Sequence, residues 1–211
     1  MNLKTAIASV GLLSLLSAPA WTNQSPTDGA QTLASAQQRV VADEQAARDY
    51  FTDLPLVTQD GKPVRFYSDV LKDKVVLINF IYTDCKDTCP LMTQKLTLVR
   101  DQLEGQLGNP IQFVSISIDP ARDTPAALKK FARRHHADHD GWIFLTGEIE
   151  NVERIVKKLG QYTPEVQSHT TLMLAGNVKY AHWMKIAPNA PSMAIAAKLR
   201  ELARDGADGG Y

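Results

Sequence analysis

KVVLINFIYTDCKDTCP, running from Lys74 to Pro90, is the stretch on which the rest of the chain is read. Its first half, Val75 to Ile81, is an unbroken β-favouring apolar run, the pattern of a strand covered on both faces. Its second half holds the chain's two cysteines, Cys85 and Cys89, at a C-x3-C spacing. Pro90 suits the first position of a helix and pushes the residue before it out of the α region, which predicts Cys89 as the N-cap. Met92, Leu96, Val99, Leu103 and Leu107 then fall on one helical face. The stretch reads as strand, cysteine loop, helix.

Outward from it, Asp60-Gly61 inside Leu56 to Phe66 signals an N-terminal hairpin. Gly108-Asn109-Pro110 stops the cysteine helix, and Ile111 to Ile118 is a second strand. Thr124 precedes a helix from Pro125 to about Arg134, followed by a short strand at Trp142 to Leu145. Glu148 to Leu159 is helical, with Ile149, Val152, Ile155, Val156 and Leu159 in register. His169 to Leu174 and Val178 to Met184 flank Gly176-Asn177, a second hairpin signal, and Pro191 to Ala203 is a final helix. Strands alternating with helices, closed by a hairpin, define an α/β class. A strand that delivers a cysteine pair to a helix N-terminus points to a thioredoxin-like fold: a central mixed sheet flanked by helices, with an N-terminal hairpin.

The ends of the chain read differently. Lys4, the short apolar stretch Ala6 to Leu16 and the small-residue site Ala18-Pro19-Ala20 have the layout of a secretory signal over residues 1–20. The apolar stretch is shorter than the ~20 residues needed to cross a bilayer, which ranks an uncleaved N-terminal anchor second. Residues 21–45 read as a flexible leader, 46–205 as the folded domain and 206–211 as a disordered tail. The expected location is periplasmic or otherwise exported, soluble after signal cleavage. That compartment is oxidising, so a lone cysteine pair can exist there as a disulfide bond. The formal net charge of zero gives no reason to expect nucleic acid or an anionic membrane as partner.

Cys85 and Cys89 make a poor structural staple, because a cross-link closing so short a loop removes little chain entropy. Such a pair can shuttle electrons, hold a soft metal, or do both. The helix N-terminus favours thiolate, at Cys89 first and Cys85 second. Lys86 pushes the same way while Asp84 and Asp87 oppose it, so these residues leave the sign of the net shift open. Two thiolates suit Cu(I), and a histidine would complete a trigonal site. Of the five histidines, His135, His136 and His139 cluster at the end of one helix and read as a solvated terminus. His169 begins the late hairpin. With a two-residue turn at Gly176-Asn177 it faces Met184, and His182, opposite Thr171, becomes its diagonal neighbour. By residue type alone, a lone strand histidine is structural.

Several ordered motifs add to this. Tyr82-Thr83-Asp84-Cys85-Lys86-Asp87-Thr88-Cys89-Pro90 resembles the YTxCPDxCP signature of the Sco/SenC family. Ser115 to Pro125 is similar to its ISIDPxRDTP segment, Leu145-Thr146-Gly147 to its LTG, and His169-Thr170 to its histidine followed by Ser or Thr. The resemblance covers roughly Leu56 to Leu202. It implies a thioredoxin-like fold and a part in assembling the dinuclear copper centre of cytochrome c oxidase. It also implies copper held by Cys85, Cys89 and His169, with Cu(I) preferred and Cu(II) also admitted. Some members act as thiol-disulfide reductases, for which Cys85 and Cys89 would be the redox pair. The implied partners are a cuproprotein client, such as a cytochrome c oxidase subunit, and other copper carriers or thiol reductants. Lys86 replaces the family's usual proline, Ser168 its usual Asp, and the stretch from Tyr162 to His169 is shorter than usual. Asp119, Arg122 and Asp123 are expected to cap the following helix and brace the loop. A peroxidase, with Thr83 and Arg122 as donors, and a regulatory copper sensor are the remaining readings.

Overall fold

A computed structural model describes residues 43–166 and 171–205. The proposed signal and most of the leader, the C-terminal tail and His169 with its neighbours 167–170 lie outside the described residues. The central run of the quoted stretch becomes β3 (Val75–Ile81), and all of it is buried. It is flanked by β4 (Ile111–Ser117) in parallel and β6 (Met173–Asn177) in antiparallel. With β1 (Pro55–Thr58), β2 (Pro63–Arg65), β5 (Trp142–Thr146) and β7 (His182–Ile186), they form a seven-stranded mixed sheet in the order β2-β1-β5-β4-β3-β6-β7. The expected N-terminal hairpin is β1–β2, with Leu56 opposite Val64.

Alternation along β3 divides the core into two layers. Val75, Leu77 and Ile81 face α2 (Thr88–Gln102), α3 (Pro125–Arg134) and α5 (Ser192–Arg204), meeting Leu96, Val99, Phe131, Ile195 and Leu199. Val76, Ile78 and Phe80 face the other layer, where Phe66, Leu71, Val152 and Ile155 pack from a π-helical turn (Phe66–Leu71) and α4 (Ile149–Lys158). A helix over 43–51, α1, which the sequence reading does not anticipate, joins this second layer through Phe51, whose ring lies 5.0 Å from that of Trp183. Arg48 of α1 is tied to Asp53 at 2.5 Å and to Ser68 Oγ at 2.8 Å.

Three local expectations are corrected. The cysteine helix begins at Thr88 after Asp87, so Cys89 is its second residue and not its N-cap. The first four N–H groups of a helix have no partner within it, so Pro90 is accommodated at the third position as readily as at the first. Ile149 does not join the buried face of α4 but is 50% exposed. The late hairpin turns over 178–181 instead of at Gly176-Asn177, pairing Asn177 with His182, Gly176 with Trp183 and Ala175 with Met184. Gly176 serves close packing within β6: a Cβ there would lie 2.4 Å from Cδ2 of the Trp183 ring.

This topology brings the C-terminal ends of the parallel strands β3 and β4 together. The Ile118 N–H donates to the Ile81 carbonyl at 2.9 Å, so the loops that leave these strands run side by side. Sites of open α/β sheets gather at such ends.

Candidate functional site

The cysteine loop leaves β3 at Tyr82 and turns at once, the Cys85 N–H donating to the Tyr82 carbonyl at 3.2 Å. Cys85 and Cys89 are both free thiols, 9% and 2% exposed. The Cys89 N–H, one of the unpaired donors of the first helical turn, donates to Cys85 Sγ at 3.3 Å. The two cysteines that the sequence reading pairs lie together, but the thiolate preference falls to Cys85 rather than first to Cys89. Burial pushes the Cys85 thiol up, but hydrogen bonds to its sulfur from the Cys89 and Asp87 backbones and from the Cys89 and Tyr82 side chains outweigh it, and the net shift is downward. Burial drives the Cys89 thiol up to about 12, reinforced by the Cys85 sulfur and by Asp123 and opposed by a backbone hydrogen bond from Tyr82. Asp84, Lys86 and Asp87 lie exposed, and hydrogen bonds at the sulfur decide the asymmetry that their opposed charges leave open.

Tyr82 belongs to this centre. Burial raises its phenol to about 12, and so does the hydrogen bond to Cys85, which keeps the hydroxyl a donor toward the sulfur. Its place directly after β3, as the first residue of the signature-like run Tyr82 to Pro90, is the sequence signal for this role.

Asp123 braces the loop from beneath. Its carboxylate is buried and accepts from Thr83 N at 3.1 Å, from Thr83 Oγ1 at 2.6 Å and from Ser117 Oγ at 2.6 Å. The bracing role expected of the Asp119, Arg122 and Asp123 set thus falls to Asp123. Capping of α3 falls instead to Thr124, whose hydroxyl accepts from Ala127 N at 3.2 Å. Asp119 pairs with Arg122 Nε at 2.5 Å. Thr83 Oγ1 and Arg122 Nε, the donors a peroxidase reading requires, are committed to these two carboxylates.

The histidines sort in space. His135 packs its ring 4.5 Å from Phe131, and His139 Nδ1 sits 2.7 Å from the Asp140 carbonyl. Among the described residues no group of three or more His, Cys, Asp or Glu is placed to hold a metal ion. With the hairpin turn moved to 178–181, His182 stands beside Asn177, at the end of the sheet where β3 begins, and bonds Asp205 at 2.9 Å. It is therefore at the far end from the cysteines and is no neighbour of theirs. Thr171, two residues after His169, lines a small cavity together with Thr88 and Cys89.

A family model described as SCO1/SenC matches residues 42–204. The SCO1 protein homolog of Bacillus subtilis is 40% identical over 109 residues, an alignment covering 47% of this chain and 55% of that protein. The chain thus spans about half the length of that curated relative. A solved structure of BsSco, a member of the Sco family of cytochrome c oxidase assembly proteins in which a disulfide switch is identified, superposes with a TM-score of 0.62 at 27% identity, covering 72% of this chain and 92% of that one. Bradyrhizobium japonicum ScoI, solved with copper bound, gives a TM-score of 0.58 at 26% identity, covering 70% and 96%. Among the described residues no helix is long and apolar enough to cross a membrane.

Proposed function

The chain belongs to the SCO1/SenC family, and from that premise we propose that it is an exported copper chaperone. It takes up one copper ion as cargo through Cys85, Cys89 and His169 and helps metallate the dinuclear copper centre of a respiratory oxidase. Residues 1–20 direct its export, and the leader that precedes α1 lets the domain reach a client. The observation that carries this reading is the pair of free thiols at the start of α2, with Cys85 Sγ accepting the Cys89 N–H at 3.3 Å. Two soft sulfurs, one in the loop before α2 and one in its first turn, both largely shielded from water, match the donor preference of Cu(I). Support for His169 comes from the chain path, since Thr171 shares a cavity lining with Cys89. Binding releases the Cys89 proton, because the metal takes the sulfur as thiolate. Ligand exchange with a client's own sulfur and imidazole donors then passes the ion on.

The asymmetry of the thiols favours a second activity on the same residues. The Cys85 thiolate attacks one sulfur of a client disulfide, forming a mixed disulfide and releasing one client thiolate. Cys89, on deprotonation, attacks the Cys85 sulfur and releases the second client thiol. An external thiol reductant then reduces the resulting Cys85–Cys89 disulfide back to the dithiol. Such a step would ready a client's cysteines for metal.

Anaerobic titration of the reduced protein with Cu(I) against a competing chelator tests the chaperone. One tightly held copper, lost with Cys85→Ser and weakened by His169→Ala, is the expected result. Weak binding by the wild type, or indifference to His169→Ala, would leave the dithiol reductase as the function. That activity is expected to survive His169→Ala.

A further inference from the structure

Asn79 is the one polar residue of β3, and it is 4% exposed. Its Oδ1 accepts from Ser115 Oγ on β4 at 2.8 Å, and Ser115 Oγ accepts in turn from Trp142 Nε1 on β5 at 2.9 Å. A polar row thus crosses three strands inside the mainly apolar layer under α2. The row ends on a donor: Asn79 Nδ2 is buried and has no hydrogen-bond partner among the described residues. Buried amide N–H groups are seldom left so, because desolvation without a partner is costly. Asn79 lines a cavity of about 10 Å³ together with Phe80, Thr88, Cys89, Met92 and Thr171. That volume is about one water, and a water needs two to four polar partners. Asn79 Nδ2 supplies a donor, and the hydroxyls of Thr88 and Thr171 supply acceptors. Among the described residues no carboxylate lines the cavity to hold a cation, and it is too small for an organic ligand.

We propose that this cavity binds a single ordered water, which accepts from Asn79 Nδ2 and donates to the Thr88 and Thr171 hydroxyls. The site joins three elements: the middle of the sheet, the first residue of α2 and Thr171, two residues before β6. Thr88 stands between the two cysteines, and Thr171 lies two residues beyond His169. The water therefore fastens the cysteine-bearing helix start to the end of the histidine-bearing segment. For copper this makes Asn79 a positioning residue, a consequence that rests on the chaperone reading; the water site itself does not.

A high-resolution crystal structure of the reduced, metal-free protein, with water-to-amide NOEs in solution, tests the site. A water within about 3.2 Å of Asn79 Nδ2 and of a threonine hydroxyl is expected. A dry cavity, or Nδ2 bonded directly to a protein group, would overturn the proposal. Thr171→Val keeps the side-chain shape and removes one partner. It is expected to quicken amide exchange at Met173 about fivefold, the loss of one hydrogen bond. Unchanged exchange would refute the fastening role even with a water seen. Copper binding is read separately: about tenfold weaker Cu(I) binding is expected for Thr171→Val. A wild type that binds no copper would sink the chaperone reading and leave the water result standing.

Discussion

Removing the Asp123 carboxylate tests whether the cysteine loop is held from below. The side chain is 1% exposed and accepts from three donors, Thr83 N, Thr83 Oγ1 and Ser117 Oγ. Asp123→Ala takes the acceptor from all three at once. The two hydroxyls can rotate toward other acceptors, but the Thr83 N–H is fixed by the backbone. Hydrogen bonds to a charged group contribute about 1.5–3 kcal/mol each, and a donor left buried costs about 1–3 kcal/mol. Against this stands the relief of a buried charge whose neighbouring guanidinium, that of Arg122, is paired with Asp119 instead. The balance is a loss of about 3–5 kcal/mol, which for a domain of this size lowers Tm by about 10 °C. Asp123→Asn keeps one acceptor oxygen but turns an NH2 toward a donor, and should lose about half as much. Thermal melts of the reduced protein give the stability change, and iodoacetamide labelling of Cys85 reports the loop. The loop is expected to loosen, so labelling should quicken in both variants. A Tm unmoved by Asp123→Ala, or Cys85 labelling unchanged where Tm has fallen, would refute the argument that this carboxylate holds the loop.

The two thiols should separate cleanly by alkylation. Cys85, lowered, is thiolate at a lower pH than an ordinary cysteine, so its labelling rate should rise and level off at a lower pH than that of an unperturbed thiol, while Cys89, raised to about 12, stays unlabelled there. Peptide mapping after timed labelling distinguishes them, and equal rates would contradict the asymmetry. Gly176→Ala drives a methyl group into the Trp183 ring and should cost about 1–3 kcal/mol by denaturant melts, with a change in the near-ultraviolet dichroism of that ring. Thr124→Ala removes the α3 cap and should cost about 1 kcal/mol, while leaving Cys85 labelling untouched.

Much of the architecture is legible in the chain, because β3 and the helix starting near Pro90 are specified by local pattern. The Pro125–Arg134 helix likewise follows from Thr124-Pro125, where cap and proline act within a few residues. What the sequence hides is set by contacts distant in the chain. Gly176-Asn177 has the composition of a tight turn, yet the ring of Trp183 claims the glycine for packing and moves the turn beyond it. That shift carries His182 to the opposite end of the sheet. At the site, the pairing of Cys85 with Cys89 is readable from spacing, but which sulfur is the more acidic is not. It depends on the Cys89 N–H, the Tyr82 hydroxyl and the depth of Cys89, none of which is a property of residue type. Asp123 lies 40 residues from Thr83, and its hold on the cysteine loop appears only once β3 and β4 are parallel neighbours.

The order of the sheet also governs what it refuses. Its two outer strands are β2 and β7. β2 is three residues long, begins with Pro63, which has no N–H to offer, and ends with the exposed Arg65. β7 presents His182 and Lys185 to solvent. Short length, proline and charge are the means by which sheet edges resist pairing with a foreign strand. Neither flank offers a template for growth, so crowding many copies together does not zip them edge to edge. A partner that pairs strand to strand finds no ready place on this sheet, whose cysteine loop leaves instead from the end of β3, a central strand.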